Sequence, residues 1–304
     1  MTKEWQPAYL QLGRNALRRR ADQAWRHLQT CDLCARGCHV NRALGSERGL
    51  CGSGRELPVY SHGPHFGEEP PLVGRHGSGT IFFSFCNLQC VFCQNWEISQ
   101  RGEGREVTPE QLAEMMLSLQ GAGCHNINLV SPSHLVAQLL AALVVAVEEG
   151  LRLPLVYNSG GYDSLEALRL LDGIVDIYLP DMKFADSERA APWLGVDNYA
   201  EVNQAALREM HRQVGVLQLG TTGIARRGLL IRHLLLPDNA AGSDALLRFV
   251  AEQLSPDSWL NLMDQYRPCY RADQYPPLDR RPTRVELRQA RRMARELGLR
   301  NLCG

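Results

Sequence analysis

The chain has 304 residues, 44% of them hydrophobic, with 33 basic and 33 acidic side chains. That length makes one large domain or two smaller ones, with ample apolar material for a core. A formal net charge of zero argues against broad, sequence-independent binding of nucleic acid. The opening segment MTKEWQPAYLQLGRNALRRR lacks the apolar region of a signal peptide. The longest apolar stretch, residues 135–147, contains Gln138 and is shorter than the ~20 residues that span a bilayer. The expectation is a cytoplasmic chain with no membrane segment.

Residues 8–29 carry Leu17, Ala21, Ala24, Trp25 and Leu28 at helical spacing. The basic run 18–20 is the solvated side of that helix, or a contact for an acidic partner. Residues 31–52, CDLCARGCHVNRALGSERGLCG, have no period and little apolar surface to bury, so a metal is expected to organise them. Residues 55–78 are rich in Gly and Pro and read as loop.

From residue 80 strands and helices alternate. Strands are predicted at 80–85, 126–130, 153–158, 174–180, 229–237 and 258–266. Helices follow them at 109–121, 133–149, 163–171, 198–213, 243–254 and 283–297, with Thr108 and Asp163 as N-caps of the first and third. Most of the strands lack polar alternation, as buried parallel strands do. The fold class is α/β: a partial (β/α)6 barrel behind an N-terminal helical and cysteine-rich extension. A doubly wound open sheet is the alternative, weakened because no G-x-G-x-x-G follows any strand. The expected division is 1–76 for the helix and metal-binding extension and 77–304 for the core domain. In β/α barrels chemistry sits at the C-terminal strand ends. There stand the cysteines after the first strand and residues 131–134, 158–161, 181–183 and 265–266.

Ten cysteines in a reducing compartment do not read as a disulfide framework. Cys31, Cys34, Cys38 and Cys51 form one group and Cys86, Cys90 and Cys93 another, while Cys124, Cys269 and Cys303 stand alone. Two close-spaced groups point to two metal sites; the isolated three read as structural or incidental thiols. The three thiols of CNLQCVFCQN (86–95) suit zinc, copper(I) or an iron–sulfur cluster. A structural zinc would need a fourth ligand, a His or a distant Cys. A cluster on three thiolates would leave one iron open to a small molecule. The four thiols of the first group can close a site by themselves, around structural zinc or a 4Fe–4S cluster. His65, Glu68 and Glu69 of HFGEEP (65–70) read either as lining the mouth of the barrel, for substrate contact or proton transfer, or as a solvated loop.

C-x3-C-x2-C directly after the first strand of a β/α barrel resembles the radical S-adenosylmethionine enzymes. The resemblance implies a 4Fe–4S cluster on Cys86, Cys90 and Cys93. Its free iron would take the amino and carboxylate groups of S-adenosylmethionine, with Phe92 against the adenine. One electron then cleaves the cofactor to a 5′-deoxyadenosyl radical. The chain also resembles the pyruvate formate-lyase activating enzyme. CVFCQN (90–95) is similar to that group's C-x2-C-H-N and brings in Asn95. YNSGGY (157–162) is similar to its Asn-Gly loop, with Asn158 and Ser159. PDMKF (180–184) is similar to its D-x-K motif, with Asp181 and Lys183 as the implied catalytic pair, and IRHLLLP (231–237) to its fifth strand, with Arg232. An uncharacterised homologue group of these activases shares C-x2-C-x-R-x-C-x-V-N-R (31–42), HFGEEP, GSGTIFFS (77–84), NINLVSPSH (126–134) and MDQYRP (263–268), which holds Gln265.

One departure stands out. The activases carry Gly-Gly-Glu after the second strand, against the cofactor's amino group, and this chain reads VSPSH (130–134). Ser131, Ser133 or His134 would serve there instead, although a hydroxyl holds an ammonium more weakly than a carboxylate does; Ser133 reads equally as the N-cap of the next helix. The implied activity is hydrogen abstraction from a substrate, a glycyl residue of a partner enzyme by resemblance. Another peptide, a nucleotide or a metabolite is the alternative, and an electron carrier or zinc-organised binding protein the non-enzymatic one. The implied partners are S-adenosylmethionine, an electron donor such as flavodoxin or ferredoxin, and a protein substrate.

Overall fold

The computed structural model describes residues 5–303. It opens with α1 (Ala8–Leu12) and α2 (Arg14–Arg26). One helix was expected over 8–29; Gly13, at φ 86° and ψ 149°, breaks it in two. There follow β1 (Leu57–His65), α3 (Pro70–Val73), β2 (Ser78–Phe83), α4 (Trp96–Ser99), β3 (Arg105–Val107), α5 (Pro109–Gly121), β4 (Ile127–Val130) and α6 (Val136–Glu148). Next come β5 (Leu155–Asn158), α7 (Leu165–Leu171), β6 (Ile177–Tyr178), α8 (Ser187–Leu194), α9 (Tyr199–Val214) and β7 (Gln218–Leu219). The chain ends with β8 (Ala225–Leu234), α10 (Ser243–Phe249), β9 (Trp259–Met263), α11 (Arg284–Glu296) and β10 (Asn301–Cys303).

The strands form one sheet in the order β10-β9-β8-β6-β5-β4-β2-β1-β3, with β7 attached to β8. Every pair from β10 to β2 is parallel. β1 lies antiparallel to β2, and β3 antiparallel to β1. The order does not close on itself. The molecule is a partial β/α barrel, and the six expected strands are β2, β4, β5, β6, β8 and β9.

Local chemistry accounts for most element ends. Thr108 and Gln111 form a reciprocal capping box at the start of α5. α6 buries nearly all of its apolar residues, and its one polar intrusion, Gln138, donates from Nε2 to the Arg55 carbonyl at 2.8 Å. The N-cap of α7 is Ser164, not Asp163. The expected loop 55–78 contains β1. That strand is buried at 57–59 and exposed at 60–62, so it shows no period of two. Only its first three residues pair with β3, which leaves Gly63 and Pro64 on a free edge where strands tolerate them. α2 packs on α6, and Leu17, Leu28 and Leu33 share one core with Ile81, Leu129 and Tyr157. The buried Asp176 carboxylate accepts from the Ala8 N–H at 2.8 Å and the Leu155 N–H at 3.0 Å. It thereby ties α1 to the sheet. Among the described residues, no helix is long and apolar enough to cross a membrane.

Candidate active site

The C-terminal ends of the parallel strands surround a cavity of about 240 Å³. The loop after β2 supplies Cys86, Cys90, Phe92, Cys93 and Asn95 to its wall; Ser131 follows β4, and Asn158 and Ser159 end β5. Asp181 and Lys183 follow β6, Arg232 comes from β8, and Gln265 follows β9. Thus residues up to 179 positions apart in sequence face one space, each at a strand end. Ser133 does not reach it. It is buried beside Asp163, two residues before the N-cap of α6, Leu135. Its expected capping role falls away with that. His134 is buried too, with Nε2 against the Ser84 carbonyl at 3.2 Å. Burial, with Arg42 beside it, pushes the ring down to about 3, so it is neutral.

The loop 86–93 has no regular structure, yet its backbone is tied on both flanks. The Gln89 and Val91 N–H groups donate to the Leu194 and Trp193 carbonyls, both at 2.9 Å. These are free carbonyls at the C-terminus of α8. The Val91 carbonyl in turn accepts from the Arg271 N–H at 2.9 Å, and Asn87 Nδ2 donates to the Tyr162 carbonyl at 2.6 Å. α8 was not among the helices expected from sequence; Pro192 sits inside it, and Gly195 caps it at φ 68°. Phe92 is wedged edge-on against Phe184 and Tyr266, at ring distances of 6.0 and 6.2 Å. Burial pushes the Cys86 thiol up to about 11 and raises Cys90 further. Both are thiols at neutral pH until metal binding to the sulfur displaces the proton.

The opposite wall is ionic. Asp181 accepts from Lys183 Nζ at 2.5 Å and from Arg232 Nε at 2.9 Å. Burial alone would raise the Asp181 carboxyl; the two cations outweigh it and hold the group below the usual carboxylate range. Arg232 also donates to Asn158 Oδ1 at 2.7 Å. Ser159 donates to Asp163 Oδ2 at 2.6 Å, and Tyr157 to Asp163 Oδ1 at 2.9 Å. Asp163 therefore braces the 157–162 loop instead of capping a helix. Gly161 lets that loop meet the strand-end carbonyl of β6: it has φ 74°, and a Cβ would stand 2.1 Å from the Asp181 carbonyl oxygen and 2.2 Å from Asn203 Nδ2. We expect Gly161→Ala to destabilise the fold by roughly 2–5 kcal/mol, combining left-handed strain and overpacking. Chemical denaturation checks this. A loss under about 0.5 kcal/mol, the ordinary range for a neutral surface change, would refute the close approach.

The second cysteine group lies in the 31–54 segment. Cys38 Sγ and Cys51 Sγ both face Gly49, 3.4 and 3.2 Å from where a Cβ would stand. The Arg42 side chain is fully buried against them. Its Nη1 donates to Cys31 Sγ at 3.4 Å and to the His134 carbonyl at 2.8 Å. Burial and the neighbouring thiols raise Cys34; burial also raises Cys51, against the pull of Arg42. His39 is exposed. The two groups adjoin, since Phe85, the residue before Cys86, packs its ring on Gly52, the residue after Cys51. Among the described residues no three His, Cys, Asp or Glu side chains are grouped to hold a single metal ion.

The sequence profile of the radical SAM superfamily matches residues 80–223. The chain is also 32% identical, over 279 residues, to the uncharacterized protein MJ0674 of Methanocaldococcus jannaschii; the match covers 89% of this chain and 76% of that protein. The chain carries a radical SAM superfamily domain. A second protein of the same organism, MJ0808, is 26% identical over 88% of this chain and 78% of its own length. Among solved structures, a radical SAM methyltransferase from Sphaerobacter thermophilus aligns at TM-score 0.49 and 16% identity, over 74% of this chain and 65% of that one. Methylornithine synthase aligns at TM-score 0.47 and 16% identity, over 98% of this chain and 76% of its own. A radical SAM domain implies a 4Fe–4S cluster and S-adenosylmethionine.

Proposed function

We propose that this radical SAM enzyme holds its 4Fe–4S cluster on Cys86, Cys90 and Cys93, binds S-adenosylmethionine in the strand-end cavity and abstracts hydrogen from a substrate there. The observation that carries the reading is the common cavity: three thiols on one wall, a buried ionic set on the other. The donor set suits the group, since soft thiolates prefer iron–sulfur. Bound there, the cluster supplies the single electron that cleaves the cofactor. Phe92 offers an aromatic edge to the adenine, and Asn95 and Gln265 stand exposed at the rim. Asn158, Ser159 and Ser131 are the polar contacts for the ribose and amino-acid portions. Asp181 and Lys183 would present a fixed, largely buried charge pair to the bound cofactor and substrate. A flavodoxin or ferredoxin is the electron donor of this reading. Its substrate is a glycyl residue of a partner enzyme, carried by the resemblance of PDMKF and YNSGGY. VSPSH in place of Gly-Gly-Glu favours, as a second reading, the same radical acting on another peptide, a nucleotide or a metabolite. The test is spectroscopic: S-adenosylmethionine added to the reduced, reconstituted protein should change the cluster's electron paramagnetic resonance spectrum. An unchanged spectrum at saturating cofactor would sink the reading of the cavity.

The reading includes a second, closed metal site on Cys31, Cys34, Cys38 and Cys51. Glycine at 49 leaves room in front of two of these sulfurs, and the buried Arg42 guanidinium offsets excess thiolate charge. We favour a 4Fe–4S cluster over zinc there. Cys31→Ala should then lose about four of eight irons and keep the other four. Iron and zinc analysis of the purified variant decides it; unchanged iron with one zinc lost makes the site structural zinc.

A further inference from the structure

Glu68 and Glu69 of HFGEEP neither line the mouth of the barrel nor stand in solvent, although Phe66, Gly67 and Pro70 beside them are exposed. β1 runs antiparallel to β2, with His65 opposite Ser78, the first residue of β2. The segment after β1 therefore enters the barrel at the N-terminal strand ends, opposite the cavity. His65 stays outside, edge-on to Phe82. Glu68 and Glu69 turn inward and are nearly inaccessible, the Glu68 side chain at 9% and Glu69 at 5% exposure. Glu68 Oε2 stands 3.7 Å from Arg232 Nη1, and Glu68 Oε1 accepts from Asn158 Nδ2 at 3.5 Å. Glu69 Oε1 accepts from Asn261 Nδ2 at 2.9 Å. Asn128 of β4 lies beside Glu68, fully buried, and its amide favours the ionised Glu68 carboxyl.

Arg232 thus spans two acids. One is Asp181 in the cavity wall; the other is Glu68 beneath the floor. Together Arg232 and Lys183 carry two positive charges against three carboxylates, Asp181, Glu68 and Glu69. One proton on the Glu68–Glu69 pair makes this buried set neutral; without it the set carries one net negative charge.

We propose that Glu68 and Glu69 are positioning residues: Glu68 holds Arg232 and Asn158 from below, Glu69 holds Asn261 beside them, and the charge on these buried acids sets the charge that the cavity presents to a cationic ligand. This rests on the reading of that cavity as the S-adenosylmethionine site, because the cofactor's sulfonium is the cation concerned. Burial pushes the Glu68 carboxyl up to about 7, with Glu69 adding to the rise and Arg232 opposing it. A like charge nearby in a dry interior favours the protonated form of a carboxyl. The other groups facing the pair do not titrate near pH 7. Asn128, Asn158 and Asn261 are neutral; Arg232 is raised by Asp181, Glu69 and Glu68 against the effect of burial. On β10, burial and Glu69 push the Cys303 thiol up to about 11.

The test compares wild type with Glu68→Gln and Glu69→Gln, each holding the cluster, by equilibrium binding of S-adenosylmethionine at pH 6 and pH 8. The comparison at fixed pH cancels the cofactor's own titration. We expect the variants and wild type to agree within twofold at pH 6, where the pair is protonated. At pH 8 both variants should bind about fivefold more weakly than wild type, since they lack the extra negative charge. A ratio that is the same at both pH values overturns the proposal. The infrared carboxyl band gives a second readout that needs no cofactor. Burial also pushes the Asp176 carboxyl up to about 7, so the readout is the difference between the two proteins: wild type should show one more buried acid losing its proton near pH 7 than Glu68→Gln does. Failure of wild type to bind the cofactor at either pH counts against the reading of the cavity. A wild-type band identical to that of Glu68→Gln counts against a proton on Glu68, whatever the cofactor does.

Discussion

Cys90→Ala abolishes formation of 5′-deoxyadenosine and removes about four irons per chain, while the fold survives. Cys90 is buried in the middle of the C-x3-C-x2-C loop and lines the cavity with Cys86 and Cys93. Three thiolates are the minimum that keeps a cluster with one open iron, so losing one removes the cluster and its chemistry together. The backbone around it does not depend on the metal alone. Gln89 and Val91 on either side are bonded to Leu194 and Trp193 of α8. Circular dichroism should therefore match wild type, and a Cys→Ala change at one buried thiol should cost only about 1–2 kcal/mol. Full product formation by the variant would remove Cys90 from the site.

Asp181→Asn has the largest expected effect on stability, a loss of about 3–5 kcal/mol, because it leaves buried cations without their carboxylate. Lys183 Nζ and Arg232 Nε both bond to Asp181, and all three side chains are less than one-fifth exposed. Asparagine keeps the volume and offers one oxygen, but its amide nitrogen would face a guanidinium or an ammonium. Removal of the two charges together, as in Asp181→Asn with Lys183→Met, should restore part of the loss. The pH dependence has a definite sign. The folded-state carboxyl lies below the ordinary value of about 4. Its contribution is therefore complete above that value and is lost only as pH falls through the lower folded one. Wild type and Asp181→Asn should converge in stability in acid and differ fully at neutral pH. Denaturant unfolding at pH 3 and pH 7 checks both points.

The sequence carried most of the frame of the site and little of its foundations. Strand positions were legible because parallel strands buried on both faces become short apolar runs, as in TIFFSF (80–85) and YNSGGY's preceding LPLV (153–156). The residues that follow them were polar for a chemical reason, so Asn158, Asp181 and Gln265 could be picked out before any geometry was known, while Arg232 came from the resemblance of IRHLLLP. β1 was not legible, since half of it is an exposed edge with Gly63 and Pro64. α8 was hidden by Pro192. The roles of Asp163 and Ser133 were misplaced by a simple rule. A polar residue before a helix is usually its cap, but here the neighbouring tyrosine and serine hydroxyls claim Asp163, and α6 starts without a side-chain cap. Glu68 and Glu69 were noticed, but on the wrong side of the barrel. Only the antiparallel direction of β1 places them below the floor, and strand direction is not written in composition or period.

The central claim is that this chain cleaves S-adenosylmethionine reductively in the cavity built by residues 86–93 and the strand ends. The most direct measurement is product analysis after anaerobic reconstitution with iron and sulfide, reduction and addition of the cofactor. The predicted result is 5′-deoxyadenosine and methionine in equal amounts from wild type and none from Cys90→Ala. An intact, reduced cluster on Cys86, Cys90 and Cys93 that yields no 5′-deoxyadenosine would contradict the account.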